Sequence, residues 1–363
     1  MVISLQKYFF RETEKTILTH GAFEVSAFRY PSGVEALRVR GKRCEAVFLP
    51  YQGQQIWRCA FDGRELAMKS IFDAPVETSD YLSTYGGFLL HCGATAMGVP
   101  SKNDTHPLHG ELPNARYSDA YVECGEDASG KWISVGGSYR HAVAFNHDYV
   151  ASPRVTLGEN ATLLEIEMNI KNQKRTEMEL MYLAHINFRP CNDATLAYSA
   201  DYASESVEIE TNVPSHLKSS SPIEDYKAFL HRLRDNPALH HTMGKEMLFD
   251  PEVVMKIKYK TDADGFAHSI QLRPDGSADY VCHDAVAMDT GVRWISRTPD
   301  QDALGLVLPA NAGKEGYLRE KALGSVKTLG PGKTARFCMR AGVLNESEAR
   351  EMKQKIDKIA GRA

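Results

Sequence analysis

Apolar and polar residues alternate with a period of two along most of this chain. The segments 164–171 and 255–260 alternate in this way, which predicts strands with one buried face and one solvated face. Turn residues such as Ser32-Gly33 and Asp62-Gly63 separate the apolar runs. Further strands are predicted over residues 23–30, 34–40, 44–51, 54–61, 132–135, 268–272, 292–297 and 304–308.

Helical periodicity occurs in two segments only. In the first, Ser221 can cap a helix, Pro222 suits its first position, and an apolar stripe follows, which predicts a helical insertion near 221–235. Near the end of the chain, Asn345 and Glu348 form the pattern of a capping box.

The second helix is therefore predicted near 346–360, packed on the outside of a sheet. No linker rich in proline or glycine divides the chain, and the glycine patterns of Rossmann and phosphate-binding loops are absent from the sequence. We expect residues 1–363 to form a single all-β domain, a large antiparallel β-sandwich with a few peripheral helices.

Charge and cysteine content indicate which kinds of ligand and which cellular compartment to expect. The formal net charge is −4 with interspersed signs, which disfavours nucleic-acid binding and leaves a small molecule as the partner. The seven cysteines lack a Cys-x-x-Cys pair, as is typical of reduced thiols in the cytoplasm. The first residues lack the order of a signal peptide, and no apolar stretch spans a bilayer. A cytoplasmic monomer or homodimer without membrane contact is expected.

The segment 181–189 carries the first candidate for chemistry. In a strand, Met181, Leu183, His185 and Asn187 share one face. Apolar residues begin both faces and polar ones follow, which indicates a covered strand that ends at the rim of a cavity. A histidine there can exchange a proton near neutral pH. The alternative is a buried histidine that is satisfied by a backbone carbonyl.

A second histidine, His109, lies in a turn. Gly110 lacks a side chain and so permits close approach of another backbone or a ligand, and Glu111 returns to the side of His109 in an extended stretch. The turn can thus present imidazole and carboxylate together. The alternative is a loop whose path is fixed by Gly110 and Pro113.

Four motifs, in this order, resemble the galactose mutarotase-like superfamily and its aldose 1-epimerase-like branch, from about Gln54 to Gly332. They are Gly86-Gly87-Phe88 leading to Cys92-Gly93, His109-Gly110 with Asn114, His185-Ile186-Asn187-Phe188, and Leu308-Pro309-Ala310-Asn311. The resemblance implies a sandwich that interconverts the anomers of a sugar or sugar acid by acid/base catalysis without a cofactor. It also implies that His185 protonates the ring oxygen and that His109 helps to hold it.

The expected base of this branch is a glutamate directly before the Pro-Ala-Asn step, where this chain has Leu308. Glu315 is our candidate instead, because glycines on either side of it suggest a loop that can reach over the pocket. Glu320 and Glu111 are the other carboxylates considered. A solvated loop carboxylate is the alternative reading of Glu315.

Sugar sites combine apolar surface for C–H groups with planar hydrogen-bonding groups for hydroxyls. The candidates for substrate contacts are Glu111, Asn187, His91, Gln55, Trp57 and Trp294.

Two other functions remain open from the sequence. A metal-dependent sugar isomerase would use histidines such as His106, His240 or His283, although none of them shows the spacing of a zinc site, and no metal ligand is assigned. A non-catalytic carbohydrate-binding protein is the other alternative, since Leu308 removes the expected base.

Overall fold

The computed structural model describes residues 1–212, 222–244 and 249–362. Its strands are β1 (Val2–Ser4), β2 (Lys15–His20), β3 (Phe23–Arg29), β4 (Glu35–Arg40), β5 (Cys44–Leu49), β6 (Gln55–Phe61), β7 (Arg64–Glu65), β8 (Leu89–Ala94), β9 (Asp119–Asp127), β10 (Gly130–Val143), β11 (His147–Gly158), β12 (Leu163–Asn172), β13 (Met178–Ile186), β14 (Thr195–Tyr198), β15 (Val207–Ile209), β16 (Val253–Ile257), β17 (Phe266–Leu272), β18 (Ala278–Asp284), β19 (Thr290–Arg297), β20 (Asp302–Ala310), β21 (Lys327–Leu329) and β22 (Thr334–Leu344). Its helices are α1 (Ile223–Asp235), α2 (Tyr317–Ala322) and α3 (Glu346–Ala360).

The strands form two antiparallel sheets. The first has the order β1-β9-β10-β11-β12-β22-β18-β17-β14. The second has the order β15-β16-β19-β20-β13-β8-β6-β5-β4-β3-β2, with β7 paired to β6 and β21 paired to β13. The sheets pack face to face, since Tyr182 of β13 stacks on Phe337 of β22 with ring centroids 4.5 Å apart. The expected large antiparallel sandwich is therefore confirmed.

Strand β13 divides its side chains between two environments. Tyr182, Ala184 and Ile186 join the main core between the sheets, whereas Met181 and Leu183 join a second apolar cluster on the outer face of the same sheet. This division confirms the faces predicted for the segment. It also means that His185, which shares the face of Leu183, points away from the interior of the sandwich.

The helices lie close to their predicted ranges. Helix α1 begins at Ile223 with Pro222 as its N-cap rather than its first residue, because Pro222 has extended backbone angles, and Ser221 lies outside the described residues. The predicted capping box of Asn345 and Glu348 starts α3.

Helix α3 packs on the outer face of the nine-stranded sheet through Ala349 and Ile356, as predicted. The short helix α2 has no counterpart among the predictions. Among the described residues, no helix combines the length and apolarity needed to cross a membrane.

Buried neutral histidines make the fold sensitive to acid. Burial lowers the pKa of His91 and His283 to about 3 and that of His185 to about 4, against about 6.5 in an unfolded chain. The unfolded chain thus binds more protons between pH 6.5 and these values, so this stabilisation is complete above pH 6.5 and is lost on acidification. Between pH 6.5 and pH 5, each of these histidines lowers the free energy of unfolding by about 2 kcal/mol.

We expect denaturant midpoints to fall from pH 7 to pH 5, and to fall less in a His283→Gln variant. Exchange of the exposed His231 for Gln is the control and leaves the slope unchanged. A midpoint independent of pH over this range would contradict the assignment of neutral buried histidines.

Candidate functional site

A cavity of about 320 Å³ opens on the outer face of the thirteen-stranded sheet. This volume lies at the lower end of the range of about 300–1,000 Å³ that small-molecule sites occupy. The lining combines aliphatic, aromatic, imidazole and carboxylate side chains. They include Tyr81, Tyr85, Leu108, His109, Leu183, His185, Glu210, Tyr226, Glu252, Val254, Val292, Trp294, Ser296, Gln301, Leu308, Lys314 and Glu315.

The two candidate histidines meet in this cavity. The ring centroids of His109 and His185 lie 5.5 Å apart with the rings nearly perpendicular. Strand β8 connects them, because it pairs with β13 along its whole length and its Gly93 N–H donates to the carbonyl of His109 over 2.9 Å. Residues separated by 76 positions in the chain are thus neighbours through a single intervening strand.

Glycine is required at the contact between the His109 turn and β8. Gly110 has φ +80°, and a Cβ added to it would overlap the carbonyl oxygens of Ala96 and Gly93. A Cβ on Gly93 would in turn overlap the carbonyl of Met181. The absent side chains therefore let three backbone segments lie in contact, as expected for Gly110.

Two predicted substrate contacts, Glu111 and Gln55, support this turn and do not line the cavity. The Glu111 carboxylate accepts from the N–H groups of Ala94 and Thr95, each over 3.0 Å, and is thereby held beneath the turn. The Gln55 amide donates to the carbonyl of Pro113 over 2.8 Å. Their side chains satisfy buried backbone groups, which corrects the expectation that they face a sugar.

His91 and Trp57 also lie away from the cavity. Alternation along β8 turns His91 toward the main core, where its Nδ1 lies 2.7 Å from the hydroxyl of Tyr182. Trp57 is fully buried in a separate apolar cluster with Phe28 and Val47. Both are packed side chains, and the expectation that they contact substrate is corrected.

Asn187 lies beneath His185 and does not line the cavity. Its Nδ2 donates to the carbonyl of Gly87 over 3.0 Å, which orients the amide so that Oδ1 faces His185 Nδ1 at 2.6 Å. A carbonyl oxygen only accepts, so Nδ1 carries the hydrogen in the neutral ring. The lone pair of the neutral imidazole is therefore on Nε2.

His185 is held in its neutral form at physiological pH. Burial lowers its pKa to about 4, and the hydrogen bond with Asn187 offsets only part of that effect. A neutral ring with its lone pair on Nε2 accepts protons and does not donate one. This differs from the acid role that the sequence resemblance implies for His185.

Aromatic rings surround the two imidazoles. The Tyr81 ring lies 4.8 Å from that of His109, and the Trp294 ring lies 5.4 Å from that of His185. Burial raises the pKa values of Tyr81 and Tyr85 well above 10, so both hydroxyls stay protonated. Trp294 therefore lines the same cavity as the two histidines.

Three carboxylates line the cavity. Glu252 accepts from the indole Nε1 of Trp294 over 2.7 Å, and its charge contributes to the raised pKa of Tyr81 and Tyr85. Glu315 reaches the cavity as predicted, but its Oε1 lies 2.6 Å from the ammonium of Lys314.

The third carboxylate, Glu210, lies 3.4 Å from the Lys314 ammonium. Burial opposes the charge on Lys314, but the Glu315 and Glu210 carboxylates outweigh it and raise the lysine pKa. Glu252 is therefore the carboxylate associated with the aromatic rings near His185, whereas Glu315 and Glu210 hold Lys314.

Glu252, Tyr81 and Tyr85 line the cavity but were not predicted from the sequence. Glu252 directly precedes the alternating residues of β16, and pairing of Val254 with Trp294 brings it beside the tryptophan. An acidic residue at the start of a strand was the available signal. The pairing of β16 with β19 could not be predicted from the sequence.

Metal ligation needs several convergent side chains. Among the residues that the structure describes, no three His, Cys, Asp or Glu side chains are grouped to hold a metal ion.

A family model described as a domain of unknown function, DUF4432, matches residues 31–343. The chain belongs to the DUF4432 family. No curated protein matches the sequence.

Solved structures resemble this DUF4432 protein along most of its length. A provisionally named aldose 1-epimerase from Klebsiella pneumoniae has a TM-score of 0.81 at 15% identity and covers 100% of this chain and 96% of its own. A galactose mutarotase-like protein from Lactobacillus casei has a TM-score of 0.55 at 10% identity, with 85% and 100% covered. Galactose 1-epimerase from Lactobacillus acidophilus has a TM-score of 0.53 at 11% identity, with 92% and 98% covered. The DUF4432 chain thus has the galactose mutarotase-like sandwich fold.

Exchange of Asn187 for Asp tests how the site sets the protonation of His185. A carboxylate opposite Nδ1 stabilises the imidazolium, so we expect the His185 pKa to rise from about 4 by about 1–3 units. NMR titration of the imidazole signals measures this change. The exposed Asn236→Asp exchange is the control and leaves the titration of His185 unchanged. A wild-type His185 that titrates near 6.5 would contradict the neutral assignment.

Proposed function

We propose that this DUF4432 protein interconverts the anomers of an aldose at the His109–His185 cavity by proton transfer without a cofactor. The observation that carries the proposal is the placement of both imidazoles, 5.5 Å apart, in one cavity of about 320 Å³. The mutarotase-like fold supports it as an analogy only, since function belongs to the site.

In the proposed reaction, His185 Nε2 accepts the proton of the anomeric hydroxyl. The electron pair left on O1 forms the carbonyl, the C1–O5 bond breaks, and O5 takes the proton from the imidazolium. Both oxygens are attached to C1, so one ring nitrogen can serve both in turn. Rotation about C1–C2 and reversal of these steps give the other anomer with His185 neutral again.

The neighbouring groups have complementary roles in this proposal. In this proposal His109, whose ring lies 5.5 Å from that of His185, hydrogen-bonds the ring oxygen, and the Trp294 ring supplies apolar surface for the C–H groups of the sugar. In this proposal Glu252 keeps the Trp294 indole beside His185 by accepting the hydrogen bond of its Nε1–H. Glu315 holds Lys314 at the rim rather than acting as the base.

A sugar-binding protein without turnover is the second candidate. Leu308 lines the cavity and supplies no carboxylate, which favours this function. The same measurement separates the two candidates, because binding changes sugar signals in the NMR spectrum whether or not anomers exchange.

Anomer exchange of freshly dissolved single-anomer aldoses tests the reaction by one-dimensional NMR. We expect the protein to accelerate exchange and a His185→Gln variant to lose about 10²–10⁴-fold of that acceleration, because it removes the proton acceptor. The exposed His231→Gln variant is the matched control and keeps full activity. A folded His185→Gln protein with unchanged activity contradicts the proposal. Binding without acceleration by the wild type supports the second candidate.

Separate exchanges of Glu252 and Glu315 for Gln test which of the two carboxylates supports catalysis. Glu252→Gln weakens the hydrogen bond that holds the Trp294 indole beside His185, so we expect a loss of about tenfold or more in kcat, where tenfold corresponds to about 1.4 kcal/mol of barrier. Glu315→Gln removes the nearer of the two carboxylates that hold Lys314 and changes KM more than kcat. The reverse pattern, with kcat lost only in Glu315→Gln, would return the catalytic carboxylate to Glu315.

A further inference from the structure

One wall of the cavity is aliphatic across four neighbouring strands. It consists of Leu183 of β13, Leu308 of β20, Val292 of β19 and Val254 of β16, and is called the aliphatic wall below. These strands are adjacent in the order β16-β19-β20-β13, and Val292 and Leu308 are direct partners. Leu183, Val292 and Leu308 belong to one apolar cluster, and Val254 packs against it.

We propose that the ligand of this site is a 6-deoxyaldose, a pyranose that carries a methyl group where common hexoses carry a hydroxymethyl group. The proposal concerns which sugar the cavity takes, and it rests on the proposed function for the orientation of the anomeric carbon toward His185.

The position of the wall relative to the imidazole supports this orientation. Leu183 and His185 are two residues apart on one face of β13, as are Val292 and Trp294 on β19. Successive residues on one face of a strand lie about 6.8 Å apart. C6 is bonded to C5, and C5 is bonded to the ring oxygen, so C6 lies on the same side of the ring as the anomeric carbon. A pyranose with O1 or O5 at His185 Nε2 can therefore turn its C6 methyl group toward the neighbouring Leu183 of the aliphatic wall.

The wall offers a hydroxyl group no partner of its own. Its side chains have no polar atoms, and each of the four residues pairs with a residue of a neighbouring strand. A hydroxymethyl oxygen that is pressed there loses hydrogen bonds to water without replacement, whereas a methyl group gains apolar contact. Apolar pockets discriminate against an added hydroxyl by about tenfold to a hundredfold.

Two pairs of sugars that differ only in the hydroxyl on C6 test the proposal: D-fucose against D-galactose, and L-rhamnose against L-mannose. NMR titration gives a Kd for each sugar independently of turnover, and anomer exchange is recorded in a separate measurement. We expect at least one deoxy sugar to bind about tenfold or more tightly than its hydroxylated partner.

Exchange of Val292 for Thr, which keeps the shape of the side chain and adds a hydroxyl, is expected to reduce that preference severalfold. Val286→Thr, at an exposed position, is the matched control and keeps the wild-type preference. An unchanged preference in a folded Val292→Thr protein would remove the aliphatic wall as its cause.

Equal Kd values within both pairs, tighter binding of the hydroxylated sugars, or no binding of any of the four at tens of millimolar would overturn the 6-deoxyaldose proposal. Accelerated exchange without preference would leave the proposed function standing while this inference fails. Preferential binding of the deoxy sugar without accelerated exchange would support the 6-deoxyaldose inference while the proposed anomer interconversion fails.

Discussion

Close packing of backbone at Gly93 and Gly110 is the constraint on which the site depends. Gly110 lies against the carbonyls of Gly93 in β8 and of Ala96 just after it, and Gly93 lies against Met181 of β13. Side chains at either glycine would separate the His109 turn from the strand that carries His185. Glu111 and Gln55 reinforce the same contact by binding backbone groups of the turn and its flanks. The convergence of two distant histidines is thus a consequence of sheet pairing and two absent side chains.

The protonation state of His185 is set by the residues packed beneath its ring. Gly87 orients the amide of Asn187, the amide fixes the hydrogen of His185 on Nδ1, and burial keeps the ring neutral. A histidine in this state accepts a proton before it donates one. In the proposed reaction the imidazole both receives and returns the proton, so that reaction needs no carboxylate at position 308. Leu308 also belongs to the aliphatic wall, on which the proposed choice of sugar rests.

Much of the fold was readable from the sequence because periodicity records which face of a strand is buried. The two faces of β13 and the capping box of α3 follow from local patterns that need no knowledge of partners. Strand β10 extends beyond the predicted range of 132–135. Gly136 and Gly137 continue the strand, and Gly136 lies against the side chain of Tyr121.

The site was readable only in part. Four predicted residues line the cavity: His109, His185, Trp294 and Glu315. Each belongs to a motif or a strand whose local pattern indicates which way its side chain points. Glu252 and Tyr81 were missed, since they arrive through pairing and packing over long separations in the chain. Glu111 and Gln55 have the right chemistry for a sugar but are committed to buried backbone groups. Residue type alone does not distinguish a side chain that contacts a ligand from one that hydrogen-bonds buried backbone groups.

A crystal structure of the protein saturated with an aldose tests the central claim most directly. The account predicts a pyranose in the cavity with O1 or O5 about 2.6–3.2 Å from His185 Nε2 and with the ring against Trp294. A sugar bound elsewhere, or bound with its anomeric carbon turned away from both histidines, would contradict it.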